Sequence, residues 1–397
     1  MDGPLEGTRI VDLTAMISGP IATMMLAEQG ADVIKVERPG QGDLVRAIGS
    51  ARSGISPLFA TSNRSKRSIV IDLKQSAGVE LLKRLVSTAD VFVQNFRPGT
   101  ADRMGFGEPV LRAVAPNLIY VSISGFGEKG PYAQQRVYDP IIQARSGLAA
   151  VQRDRETGRP RMVRTIMADK LTALTAAQAM TAALLARERT GEGQHVRIAM
   201  LDAMVSFLWP EAMMHYTFVR DGDELGRQSR KPQIRELVFE TSDGFITAGT
   251  VSDREWAGFA RVAQRSELVD DPRFATSTAR FENWDERLGL MEEVFRTDTT
   301  AHWLERLGAE QVPCAPILER HELLTDAQIA ANELIEEVDH PQVGRIRHTR
   351  PAARFDRTPA RVRGFAPMLG QHTDEVLAEI GLKVSELAAL RATGTIA

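Results

Sequence analysis

Over the first 125 residues, short apolar runs alternate with longer segments of mixed character. Residues 9–13, 31–37, 68–73, 89–96 and 117–124 are rich in β-branched and aromatic side chains. Between them lie helical stretches at 19–30 and 76–86, and the segment 109–114 separates the last two. Near-continuous apolar strands separated by helices predict an α/β architecture with a parallel sheet covered on both faces. Residues 169–190 read as one long helix with Asp169 as its N-cap, where a carboxylate accepts a bond from an orphan amide. Arg187 and Arg189 in the last turn and Gly191 just past it mark its end. The Ala-rich, charge-poor text of this helix predicts burial against close neighbours.

The pattern changes near residue 226. Residues 237–241 and 245–250 flank Asp243-Gly244, a hairpin signal. Amphipathic helices follow at 253–263 and 283–295. The chain therefore divides into a large unit at 1–225, a smaller α+β module at 226–330, and a segment at 331–397 that serves as linker and returns to the large unit. A helix is expected at 373–380.

Composition adds exclusions. A chain of 397 residues suits about two domains. Net charge is 49 − 52 = −3, too acidic for a general nucleic-acid binder. No apolar run approaches membrane-spanning length, and the first residues lack a signal-peptide pattern. The single cysteine, Cys314, has no internal partner. These features predict a cytoplasmic protein.

Gly125–Gly130 matches G-x-G-x-x-G, but Pro131 and the polar text after it oppose the helix that a nicotinamide site requires. A tight glycine loop is expected there. The seven histidines lack metal-ligand spacing, so no metal is expected. Cys314 reads as a structural thiol. Lys35, Arg38, Arg64, Lys66, Arg67, Lys74, Arg97 and Arg103 gather near strand ends, where a phosphorylated ligand would bind, or form a solvated surface.

Seven segments, in order, carry a more specific signal. They are LEGTRIVDLT at 5–14, GPIATMMLAEQGADVIKVERPGQGD at 19–43, NRSKRSIVIDLK at 63–74 and ADVFVQNFRPGTADRMG at 89–105. LIYVSISGFGEKGPY at 118–132, RTGEGQHVRIAMLDA at 189–203 and LGQHTDEVL at 369–377 complete the set. Together they resemble the family III coenzyme A transferases, the CaiB/BaiF family that includes formyl-CoA transferase. The resemblance implies a Rossmann-like large domain built from both chain ends, an inserted small α+β domain, and a homodimer of interlocked subunits.

The resemblance also implies chemistry. Asp169 occupies the place of the family's catalytic aspartate, which attacks a donor thioester, forms a mixed anhydride and then carries CoA as an aspartyl thioester. The CoA contacts it implies are Arg38, Ile71, Asp72, Leu73, Lys74, Asn95, Phe96, Arg97, Arg103 and Arg136. Ile17, Ser18, Tyr138 and Asp139 fall at the acyl pocket. CoA is then a substrate, with a small carboxylic acid as its partner, and no tightly bound cofactor is expected. Ile17 replaces a glutamine of formyl-CoA transferase, and the small domain lacks that enzyme's glycine run, which argues against formate and oxalate. The arginine-rich segment 153–164 suits a dicarboxylate such as succinate.

Two other readings share the fold: a 2-methylacyl-CoA racemase and a non-catalytic CoA-binding homologue. A racemase needs a second base facing Asp169 across the substrate carbon. The family's racemases place a His-Asp pair there, and this chain has Tyr138-Asp139. A phenol is a poor base at neutral pH, so transfer is favoured over racemisation.

Overall fold

The computed structural model describes residues 3–219 and 236–397. The chain forms two compact units, Met1–Arg227 with Leu334–Ala397, and Gln228–Glu333. The boundary expected at 225/226 lies outside the described residues.

The first unit is built on a six-stranded sheet of β1 (Arg9–Leu13), β2 (Asp32–Glu37), β3 (Arg67–Val70), β4 (Val91–Gln94), β5 (Ile119–Ser124) and β6 (His195–Ala199). The order is β3-β2-β1-β4-β5-β6, with every pair parallel. Alternate residues of each strand point to opposite faces. One face carries Val11, Ile34, Ile69, Phe92 and Tyr120. The other carries Ile10, Val33, Val91, Val93, Ile119 and Val121. Both faces are buried, which is why the strands read as continuous apolar runs rather than alternating ones.

Helices α1 (Ser18–Glu28), α2 (Ser76–Val86), α3 (Asp139–Arg145), α4 (Met167–Thr190) and α5 (Met200–Ala212) belong to this unit. Leu81, Leu82 and Leu85 of α2 pack in the first core layer. Ala22 and Leu26 of α1 join Ala173, Ala176 and Met180 of α4 in the second. The small side chains of α4 let it lie close to α1.

Three expectations are corrected by the structure, and one strand is new. Helix α4 begins at Met167, so Asp169 is not its N-cap but the third residue of its first turn. The N-cap is Ile166, which offers no side-chain oxygen. Only one face of α4 is buried: Leu174 and Leu185 are 53% and 51% exposed. Strand β3 stops at Val70 rather than at 73: Ile71 still donates its amide to Glu37 of β2 but also bridges Ile396, and Asp72 bonds to Thr395. Strand β6 was not foreseen, since His195 and Arg197 interrupt its apolar text and α5 starts with no turn residue between.

The segment Gly125–Gly130 forms a loop, and no helix begins until Asp139. An antiparallel pair, β10 (Ile335–His340) and β11 (Gly344–Thr349), also lies in this unit, and the helix expected at 373–380 runs Thr373–Glu379.

The second unit carries three antiparallel strands, β7 (Phe239–Glu240), β8 (Phe245–Ala248) and β9 (Cys314–Pro316). The first two form the expected hairpin. Cys314 sits in β9 opposite Ala248. Helices Asp253–Val262 and Trp284–Phe295 cover a core of Trp256, Phe259, Phe295 and Trp303. Among the described residues, no helix is long and apolar enough to cross a membrane.

Candidate active site

The strand order reverses direction between β1 and β4, and ligands of such sheets bind outside the carboxyl ends at that crevice. Two loops meet there, Thr14–Ile17 after β1 and Asn95–Gly99 after β4. Buried side chains fasten the first loop group by group. Asp12 Oδ1 accepts from the Thr14 amide at 2.9 Å, and Lys35 Nζ donates to the Thr14 carbonyl at 2.9 Å. Asn95 binds both backbone groups of Ala15, accepting at 3.0 Å and donating at 2.8 Å. Asp43 Oδ1 accepts from the Met16 amide at 3.2 Å. Met16 is held at φ 71°, a conformation non-glycine residues rarely adopt. A Cβ on Gly19 would lie 2.4 Å from the Thr14 side chain, so glycine is required where α1 leaves this loop.

Behind the loop lies a buried charge cluster. Lys66 Nζ donates to Asp12 Oδ2 and Asn63 Oδ1 at 2.9 Å and to the Pro20 carbonyl at 2.8 Å. Burial opposes the charge on Asp12, yet Lys66 and Lys35, with the Thr14 and Thr23 hydroxyls, hold its carboxyl far below the usual range. Burial, with the like charge of Lys35, pushes Lys66 down to about 8. Lys35 also pairs with Asp43 at 2.9 Å. Arg64 pairs with Glu28, and Arg67 with Asp32 and Glu379. Lys35, Arg64, Lys66 and Arg67 are thus committed inside the chain and do not form the expected phosphate-binding edge. The pattern near strand ends was real, but these four cations neutralise buried or half-buried carboxylates.

The loop delivers Ser18, the first residue of α1, to Asp169 of α4: Ser18 Oγ donates to Asp169 Oδ1 at 2.5 Å. Asp169 is partly buried. Burial raises its pKa and Asp139 raises it further, while the Ser18 hydroxyl and amide pull it back down. Both helices present their N-termini, which favour a negative charge.

Asp139 is 3% exposed and performs the capping once expected of Asp169. Its Oδ2 accepts from the amides of Ala168 at 2.7 Å and Asp169 at 3.3 Å. Gln143 Nε2 holds Asp139 Oδ1 at 2.5 Å and donates to the Val163 and Thr165 carbonyls. Asp139 is therefore spent on holding the start of α4. Its neighbour Tyr138 is 67% exposed. Ile17 is buried at the foot of α1.

A cleft of about 510 Å³ lies over one face of β5 and β6 and reaches the carboxyl end of β4 at Gln94. Arg97 and Arg103 line it with Phe96 and Arg197, over a floor of Tyr120, Ser122 and His195. Ser122 Oγ lies 2.6 Å from His195 Nε2, and burial with the Arg197 charge pushes the imidazole pKa down.

Other expected CoA contacts are placed differently. The Asn95 amide is occupied by Ala15, and the Phe96 amide by Gln94 Oε1 at 2.7 Å. Arg38 is exposed and donates to the Gly42 carbonyl and Gln41. The amides of Ile71, Asp72 and Lys74 bond to Glu37, Thr395 and Asp72, so they are not free donors, and Leu73 is half-buried against the core. Arg136 is exposed and does not line the cleft, which Gln134 of the same segment does.

Comparison with known proteins identifies the family. The model of CoA-transferase family III matches residues 5–373. Succinyl-CoA:glutarate CoA-transferase of Mus musculus is 35% identical over 95% of this chain and 86% of its own. Formyl-CoA:oxalate CoA-transferase of Streptomyces avermitilis is 34% identical, with 100% of both chains covered. A CaiB/BaiF family protein from Brucella suis superposes with a TM-score of 0.81 at 32% identity, covering 96% of this chain and 100% of that one. A parallel sheet in this order, relatives at about 34% identity over nearly the whole chain, and a family match from Leu5 to Thr373 together place the chain in CoA-transferase family III, the CaiB/BaiF family.

Proposed function

We propose that this enzyme moves CoA from an acyl-CoA to a free carboxylate through covalent intermediates on Asp169. The observation that carries the reading is the Asp169 carboxylate itself, partly buried at two converging helix N-termini beside the crevice. Exchange of CoA between two acids is nearly isoenergetic, so a carrier of the same chemical type suits it. Asp169 attacks the donor thioester carbon, expels CoA thiolate and becomes a mixed anhydride. The thiolate then attacks the aspartyl carbon, releases the donor acid and leaves an aspartyl-CoA thioester. The acceptor acid reverses these two steps.

The relatives' names favour dicarboxylates as substrates, succinyl-CoA with glutarate first. Arg164 is exposed five residues before Asp169 and suits a second carboxylate. Mass spectrometry of new thioesters, formed from a panel of donors and acids, tests the assignment. Absence of any transfer would remove it. Racemisation is disfavoured because the Asp139 carboxylate is committed to α4 and Tyr138 is a weak base.

Arg97 and Arg103 stand at the cleft as the cations for the CoA phosphates. Each charge-assisted contact contributes about 1.5–3 kcal/mol, so Arg97→Ala and Arg103→Ala should each raise KM for acyl-CoA roughly ten- to a hundredfold. Unchanged CoA affinity by calorimetry in both variants would refute this placement.

We also propose an obligate homodimer with the inserted domain organisation that the family resemblance implies. Its support here is apolar surface: Leu174 and Leu185 of α4 and Phe207 and Trp209 of α5 are each 44–53% exposed. Sedimentation at micromolar concentration should show only dimer until the protein unfolds. An active monomer would contradict it.

A further inference from the structure

We propose that the Ser18 hydroxyl is a catalytic donor for the middle of the exchange, holding the oxyanion that forms on Asp169 Oδ1 when CoA thiolate attacks the aspartyl carbon. The inference rests on Asp169 being the nucleophile.

A serine at the start of a helix usually turns its hydroxyl back onto its own first turn. Ser18 does not. The N-cap of α1 is Ile17, and the Ser18 hydroxyl reaches across to a side chain 151 residues away in sequence. Ser18 is 5% exposed, so the hydroxyl has no ready exchange with bulk water. The Ser18 amide also faces the carboxylate. Both donors therefore come from one residue, at the positive end of α1.

The donor cannot easily swing away. Thr14, Ala15 and Met16, which precede it, are held through their backbone groups by Asp12, Lys35, Asn95 and Asp43. Most of these partners are themselves buried. A donor fixed before charge develops is what stabilises an oxyanion at little reorganisation cost.

The two carboxylate oxygens then take separate roles. The Ser18 bond lowers the nucleophilicity of Oδ1, and Oδ2 attacks the thioester. In the resulting anhydride, Oδ1 is the aspartyl carbonyl oxygen and Oδ2 bridges to the acyl group. When thiolate attacks Cγ, the C–S bond forms and the carbonyl electron pair moves onto Oδ1, already 2.5 Å from Ser18 Oγ. Collapse re-forms the carbonyl and breaks the bond from Cγ to Oδ2. The acyl group leaves as a carboxylate carrying that oxygen. The hydroxyl keeps its proton throughout.

The donor thus biases the thiolate towards the aspartyl carbon over return to the acyl carbon. Its loss should change which adduct accumulates, which a merely structural role would not do.

The test mixes enzyme with acyl-CoA and no acceptor acid, quenches in acid on the millisecond scale and reads intact mass. The unaltered protein should pass rapidly to the aspartyl-CoA thioester with one equivalent of donor acid released. Ser18→Ala should form that thioester about a hundredfold more slowly and accumulate the acyl anhydride instead. Ser18→Cys, close in size but a weak donor, should show the same defect, and Ser18→Thr should largely restore the thioester. Formation of the thioester at the unaltered rate in both Ser18→Ala and Ser18→Cys would overturn the role of Ser18 and leave Asp169 intact as nucleophile. No adduct on Asp169 in the unaltered, transferring enzyme would overturn both.

Discussion

Asp169→Ala should lower the CoA-transfer rate at least about a thousandfold while CoA binding is retained. Removing the nucleophile removes the covalent route, and several kcal/mol of barrier return. Arg97 and Arg103, the cations proposed to bind CoA, are untouched, so calorimetry should still detect CoA. Folding should also survive, because Asp139 rather than Asp169 caps α4. Substitution should in fact stabilise the protein. Burial raises the folded-state pKa of Asp169 above its unfolded value. A raised carboxyl carries its full stability cost above that folded value, and the cost fades as pH falls from there to the unfolded value. Asp169→Asn should therefore melt higher than the unaltered protein at neutral pH, by about 1–3 °C, with the difference shrinking in acid. An Asp169→Ala protein that keeps more than a tenth of the turnover would remove Asp169 from the mechanism.

Lys66→Ala should destabilise the first unit by about 3–5 kcal/mol, measured as a fall in the denaturant midpoint. The Lys66 ammonium is buried and satisfies Asp12, Asn63 and the Pro20 carbonyl together. Its removal leaves Lys35 as the remaining cation that holds the buried Asp12 charged among the described residues. Breaking one partner of a buried pair strands the other charge, which costs more than the pair contributes. The loss should reach function too, because Asp12 holds the amide of Thr14 and so the path to Ser18. A midpoint shift worth less than 1 kcal/mol would show that the cluster does not brace the loop.

The sheet was largely legible because its strands are buried on both faces. Residues 91–94 and 119–124 sit inside stretches read as strands from apolar continuity alone. Strand β6 was not legible, since an edge strand carrying His195 and Arg197 lacks that continuity. The hairpin at β7 and β8 showed itself through Asp243-Gly244, a local signal. The site was only half legible. Asp169 came from a motif match, and periodicity misplaced it as a cap. The residue that does the capping, Asp139, lies 30 positions away and is joined to Asp169 only by the fold.

The cations of the N-terminal half show the same limit. Charge near strand ends did not separate Arg97 and Arg103, which line the cleft, from Lys35 and Lys66, which are buried against acids. The contact between Ser18 and Asp169, 151 residues apart, had no sequence signal beyond the site positions that the family resemblance implies for both residues.

Oxygen tracing tests covalent transfer through Asp169 most directly. The enzyme is turned over with an acyl-CoA donor and an acceptor acid labelled with oxygen-18 in both carboxylate oxygens, then digested and read by mass spectrometry. Passage through the anhydride leaves one acceptor oxygen on the aspartyl carboxylate each time CoA returns to the acceptor carbon. The peptide containing Asp169 should therefore gain one oxygen-18, and the released donor acid should acquire the label on later turnovers. Transfer of CoA with no label on that peptide would contradict the account.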